Sequence, residues 1–140
     1  MDTRSYKEVD TLGKAPIDLV LQVYDGALSE IGLAKTKYED QKYSDGYNNI
    51  QRAERMVTHL YTTLDMEQGG EVAVSLAKLY TWVITKLHEV QATQDIARFD
   101  ECIKVLRNLR QAWEGIKQQS TPVKLGPNSA VSPSRMEVVG

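Results

Sequence analysis

The chain is poor in the residues that carry covalent and acid–base chemistry. Its single cysteine, Cys102, excludes a disulfide within the chain and makes a reducing compartment the simple reading. Its two histidines are His59 and His88, and a Ser-His-Asp or Cys-His arrangement would have to use one of them. His88-Glu89 opens like a zinc-protease motif, but the residue four after His88 is Ala92, so the second ligand is missing. A di-iron bundle site needs Glu-x-x-His twice, whereas Met56 stands three before His59 and Thr85 three before His88. Gly69-Gly70 is an isolated doublet rather than a phosphate loop. Charge of one sign is lacking as well. Seventeen basic side chains stand against 19 acidic ones, a net charge of −2, which is not the basic footprint of a nucleic-acid binder. The apolar runs are too short and interrupted to insert in a membrane. No charged n-region followed by an apolar h-region opens the chain, so no secretory signal is read. The expectation is a protein of a reducing compartment that is not an enzyme and uses no metal or cofactor.

Proline is confined to the ends. Of Pro16, Pro122, Pro127 and Pro133, none falls between 17 and 121, which permits long helices. With 140 residues and 41% hydrophobic composition, the chain affords one packed domain. Residues 1–14 are polar with isolated apolar positions (Tyr6, Val9, Leu12) and read as a flexible N-terminal arm. Residues 119–140 hold three of the prolines and several serines and read as a disordered C-terminal tail. Between them lie four helical patterns. The first spans about Pro16 to Tyr38, with Pro16 at the first helical position and a stripe of Val20, Tyr24, Ala27, Ile31, Ala34 and Tyr38. The second spans about Ser44 to Asp65, with Ser44 as N-cap and a stripe of Ile50, Ala53, Val57, Leu60 and Leu64. The third spans about Gly70 to Gln91, with Val72, Leu76, Leu79, Val83, Leu87 and Val90. The fourth spans about Asp95 to Gln118, capped by Thr93 or Asp95, with Phe99, Cys102, Ile103, Leu106, Leu109, Trp113 and Ile116. Short connections force neighbours antiparallel, so the expected fold is all-α, an up-down-up-down four-helix bundle over residues 15–118.

Two helices carry more apolar surface than a bundle needs. On the first, Leu19, Val23, Gly26 and Leu33 form a second row beside the core stripe, interrupted by Glu30. A glycine in a helix interior costs about 1 kcal/mol relative to alanine, so Gly26 implies a close approach. That approach is either to a neighbouring helix of the same bundle or to a partner helix seated in a groove. On the third, Trp82 falls on the polar row of Lys78, Lys86 and Glu89, and Val74 also lies off the stripe. Trp82 is then covered by the arm, by a second copy, or by a partner. Asp25 lies on a row with Asp18, Gln22 and Ser29 and is expected to be solvated. His59 and His88 read as rim residues, Cys102 as a small core residue and Trp113 as a core anchor.

Three fragments in order carry a resemblance. Tyr24-Asp25-Gly26-Ala27 lies on a helix opened by a proline. Leu64-Asp65 is followed by Gly69-Gly70-Glu71, Ala73, Leu76 and Leu79-Tyr80, and Leu109-Arg110 by Trp113-Glu114. Over about Ala15 to Lys117 the chain resembles the flagellar export chaperone family FliS. It departs from the family at Ala15, where Ser or Thr often stands, and between Tyr6 and Pro16. The resemblance implies a chaperone that binds the disordered C-terminal segment of flagellin in the bacterial cytoplasm. It prevents premature polymerisation and presents the complex to the flagellar type III export gate. The expected partner-binding residues are Tyr6, Leu19, Val23, Tyr24, Asp25, Gly26, Ala27, Leu33, Tyr80 and Trp82, with Tyr24 also serving packing. Two alternatives stand beside it: a self-associating helical module, as a homodimer through the same rows, and a metal protein or enzyme using His59 or His88.

Overall fold

The computed structural model describes Gly13 and residues 15–120. Four helices make up nearly all of it: α1 (Ile17–Glu39), α2 (Tyr43–Thr62), α3 (Met66–Thr93) and α4 (Ala97–Ser120). The links are residues 40–42, 63–65 and 94–96, three residues each, so successive helices reverse direction. α1 packs on α2 and α4, and α3 packs on the same two, which closes an up-down-up-down bundle. Among the described residues no helix is long and apolar enough to cross a membrane.

The helix ends are set by backbone chemistry more than by side-chain caps. Pro16 sits at the N-cap of α1, one position before the expected one, and makes no side-chain cap. Its carbonyl accepts from Leu19 N at 3.0 Å and Val20 N at 3.1 Å, and Asp18 supplies the favourable charge in the first turn. Ser44 does not cap α2. The N-cap is Lys42, without a side-chain bond, and Ser44 lies inside the first turn. The reason is upstream: Lys42 N bonds back to Lys37 O at 2.8 Å and Gln41 N to Tyr38 O at 3.0 Å, closing α1 in a Schellman motif. That closure leaves α2 to start immediately after it. Gln41 occupies the left-handed position of this motif with φ 61°. A glycine there removes the Cβ penalty, so Gln41→Gly is expected to stabilise the protein by about 0.5–1 kcal/mol in urea denaturation. A destabilisation would show that the Gln41 side chain holds the turn.

α3 begins earlier than its periodicity suggests. Asp65 Oδ1 accepts from Gln68 N at 2.9 Å and starts a short helical segment. Gly70 then breaks it with φ 56° and ψ −136°, a conformation open to glycine, and the straight helix runs on from Glu71. At the start of α4, Asp95 Oδ1 accepts from Ala97 N at 3.1 Å and Thr93 Oγ1 from Asp95 N at 3.2 Å, so both expected capping residues shape that turn. α4 reaches Ser120, two residues past the expected end of the bundle. The expected arm is pinned at its end: Gly13 is buried, pairs with Leu64 in an isolated antiparallel bridge and lies 3.9 Å from the Trp113 ring, measured from its Cβ position. Residues 1–12, 14 and 121–140, including Tyr6, lie outside the described residues.

The core stripes of α1 and α2 are buried as read, all six positions on α1 and all five on the second pattern. On α4, Phe99, Cys102, Leu106 and Trp113 are buried, and Ile103, Leu109 and Ile116 are half-buried. α3 departs. Val72 and Leu79 are exposed, and Ala73, Ala77 and Tyr80 take their places beside Leu76, Val83, Leu87 and Val90. Small alanines let α3 approach its neighbours, and Tyr80 fills the central layer. The far end is closed by an aromatic cluster. Tyr38 meets Tyr43 edge-on at 5.0 Å between ring centroids and Phe99 at 5.3 Å. Gly46 makes that cluster possible, because a Cβ there would come 2.5 Å from the Tyr38 ring.

Candidate functional site

The three fragments of the sequence meet at one place in the core. Tyr24 of α1 and Tyr80 of α3 are fully buried, and their hydroxyls lie 2.6 Å apart across the bundle's diagonal. Trp113 Nε1 of α4 donates to Tyr24 Oη at 3.0 Å. Burial raises the pKa of both tyrosines above the ordinary phenol value, so both hydroxyls stay neutral. Around this node each residue of Tyr24-Asp25-Gly26-Ala27 faces a different neighbour. Asp25 receives a two-pronged bond from Arg110, with Nε to Oδ1 at 2.6 Å and Nη2 to Oδ2 at 3.2 Å. Arg110 also reaches Glu114 at 3.4 Å. Gly26 faces α2, where a Cβ would meet Met56 Sδ at 2.9 Å. Ala27 is fully buried.

These residues are placed in the bundle's own packing. Tyr24, Ala27 and Tyr80 expose no side chain to a partner. Asp25 is not merely solvated but paired with α4. Gly26 serves close packing within the bundle, the first of its two readings. Of the second row on α1, Leu19 and Leu33 are exposed and Val23 is half-buried beside the core. Glu30, which interrupts the row, accepts from Asn49 at 2.8 Å and Arg52 at 3.2 Å on α2. Trp82 is half-buried, with Lys86 Nζ 5.5 Å from its ring centroid.

The four seams of the bundle differ in character. The α1–α4 seam is laced by ion pairs: Asp18 with Lys117 at 2.7 Å, Asp25 with Arg110, and Lys35 with Asp100 at 2.9 Å. The α2–α3 seam is polar where Glu54 meets His88 at 2.9 Å and Gln91 at 3.3 Å. Burial pushes the Glu54 carboxyl above the usual range, and His88 partly offsets this. Towards the other end the same seam opens into an apolar groove of about 290 Å³ lined by Tyr61, Val74, Ala77, Lys78 and Thr81. The α3–α4 seam is tied by Glu89 and Arg98 at 3.2 Å. On that flank of α3, Val72, Leu79 and Trp82 fall in one line at spacings of seven and three. Val72 is 54% exposed and Val74 40%, so α3 presents apolar side chains on both flanks of its outer surface.

Acid–base and redox chemistry find little here. Cys102 is buried, its Sγ lies 3.8 Å from Val83 O, and burial pushes its pKa up to about 12. His88 is taken by Glu54. Among the described residues no group of three His, Cys, Asp or Glu side chains could hold a metal ion. The sequence reading missed Val72, Leu79 and Tyr61 as surface residues. Val72 and Leu79 were drawn into the core stripe because their period fits it as well as that of Ala73 and Tyr80.

Fold and surface define an antiparallel four-helix bundle with an apolar core, fastened by a Tyr24–Tyr80–Trp113 node, and with surplus apolar side chains on its outside. The family described as Flagellar protein FliS matches residues 2–120, and the chain belongs to this family. It is 30% identical over 108 residues to the flagellar secretion chaperone FliS of Campylobacter jejuni, which covers 77% of this chain and 84% of that one. It is 29% identical over 101 residues to flagellar secretion chaperone FliSB of Pseudomonas aeruginosa, covering 72% and 80%. It is 26% identical over 115 residues to FliS of Salmonella typhimurium, covering 81% and 85%. These relatives are chaperones, and this chain is a flagellar export chaperone rather than an enzyme.

Proposed function

We propose that the chain binds the disordered C-terminal segment of flagellin in the bacterial cytoplasm, prevents its premature polymerisation and delivers it to the flagellar type III export apparatus. The observation that carries this reading is the pair of apolar flanks on α3. Val74 and Ala77, facing Tyr61 of α2 across the groove, lie on one side, and Val72, Leu79 and Trp82 on the other. A disordered client must order on binding, which costs about 2–5 kcal/mol or more of the gross interaction. An extended surface with two flanks offers an amphipathic segment enough apolar contact to offset that cost, with helices seated in grooves. Leu33, exposed on α1, extends the same chemistry to the other side of the bundle.

Titration calorimetry tests the reading with this chain against monomeric flagellin and against flagellin lacking its C-terminal segment. Binding to the full-length client alone, with a negative heat-capacity change, is the expected result. Equal binding to both, or to neither, overturns it. A concentration-dependent dimer in the absence of any flagellin affinity would favour the self-associating module instead.

A further inference from the structure

A second surface has a different chemistry from the flanks of α3. Between α1 and α2 lies a groove of about 390 Å³ lined by Val23, Arg52, Arg55, Met56 and His59. Its floor is apolar and its α2 rim carries Arg52, Arg55 and His59, while no carboxylate lines it. This stands out in a chain of net charge −2. The absence of acid has a structural cause. The α1 carboxylates Asp18 and Asp25 turn to α4, where Lys117 and Arg110 hold them. Glu30 is engaged by Asn49 and by the Nε of Arg52. On α2, Glu54 shares a neighbouring surface pocket with Arg55 and His59, but its carboxylate is held by His88 of α3 at 2.9 Å. Arg55 makes no ion pair among the described residues. Gly26 keeps the two helices close, and Met56, pressed against it, offers an adaptable apolar floor. Leu19, exposed one turn before Val23 on the same row, continues that floor.

We infer that the α1–α2 groove docks an acidic amphipathic helix of a second protein, at a site separate from the flagellin surface proposed on α3. The apolar edge of such a helix rests on Val23, Met56 and Leu19. Its carboxylates meet Arg55 and the free end of Arg52, and the His59 ring N–H can donate beside them. Arg55, without an ion pair among the described residues, and Arg52, engaged with Glu30 through its Nε alone, stand beside an apolar floor and select for carboxylates and against lysines, since like charges across a groove repel.

The test uses the full chain and fluorescein-labelled peptides about four helical turns long. Three versions share one Leu/Met stripe and carry Glu, Gln or Lys beside it. Anisotropy is read at about 50 and about 500 mM NaCl. The Glu peptide is expected to bind about tenfold or more tightly than the Gln peptide, and the Lys peptide most weakly. High salt should erase most of that difference. Arg55→Glu, and more mildly Arg55→Gln, should weaken the Glu peptide, by about tenfold for the former. Val74→Glu should leave it unchanged. Circular dichroism of each variant confirms that the bundle is intact. Equal affinity for the Glu and Gln peptides, or no binding of either, overturns the inference. So does a loss caused by Val74→Glu but not by Arg55→Glu, which would place the peptide on α3. Binding that appears only after removal of residues 1–12 would name the chain's own arm as the occupant and overturn it as well.

Discussion

Val74→Glu and Leu79→Glu, each made alone, are expected to weaken flagellin binding by roughly 100-fold while the bundle stays folded. Both side chains are exposed in the free protein, so a glutamate at either place is hydrated and costs the fold little. In the complex proposed above the same carboxylate would be buried against apolar client side chains without a partner. Leaving it there costs several kcal/mol, and partial relaxation brings the expected loss to about 2–3 kcal/mol. The two positions probe different flanks. Val74 lines the groove with Tyr61 and Ala77, and Leu79 stands on the line of Val72 and Trp82. If the client engages both, each substitution alone reduces affinity. If only one matters, the client occupies a single groove. Calorimetry with the same flagellin gives the affinity, and circular dichroism the integrity of the helices. Full affinity in both variants would remove α3 from the binding surface.

The contrast between α1 and α3 shows what the sequence could and could not disclose. On α1 the core stripe, read from spacing alone, is buried throughout, and the apolar Leu19 and Leu33 beside it form a separate row that stays exposed. On α3 apolar residues surround much of the helix, and period alone cannot rank Val72 and Leu79 above Ala73, Ala77 and Tyr80. The cross-bundle neighbours decide. Tyr80 is drawn inward by the Tyr24 hydroxyl, and the alanines by the closeness of the helices. The same applies to Asp25. Its row on α1 is polar, and only the docking of α4 reveals Arg110 opposite it, 85 residues away in the chain. Gly26 announced a close approach in the sequence, but not to which helix. Gly46, which admits the Tyr38 ring, gave no comparable signal because it lies near a helix start, where glycine is unremarkable. The fragments that carry the family resemblance are thus largely the bundle's internal fasteners. The surface proposed for the client is made of residues such as Val72 and Val74 that stand between those fasteners.

The node that those fasteners share supplies the largest expected effect on stability. Tyr24 Oη accepts a hydrogen bond from the Trp113 indole N–H and is also bonded to Tyr80 Oη, so one oxygen serves two buried partners. Tyr24→Phe removes both bonds and leaves the indole N–H and the Tyr80 hydroxyl unpaired in the core. Each orphaned group costs about 1–3 kcal/mol, so the expected loss is about 3 kcal/mol. Tyr80→Phe leaves the Tyr24–Trp113 bond in place and removes one neutral bond, for an expected loss of about 1 kcal/mol. The double variant should cost less than the two losses added, since Tyr24→Phe has already broken the bond that Tyr80→Phe would break. Urea denaturation of the three variants measures this order, and a Tyr80→Phe loss equal to or larger than that of Tyr24→Phe would rule out the shared oxygen as the centre of the node. The same hydroxyls set a limit at high pH. Burial raises both pKa values above the unfolded value of about 10, so the folded chain holds its phenolic protons longer than the unfolded chain does. Stability from these groups is complete below that pH and falls as pH rises beyond it. Replacing both tyrosines by phenylalanine should therefore flatten the alkaline fall in stability even as it lowers stability at neutral pH.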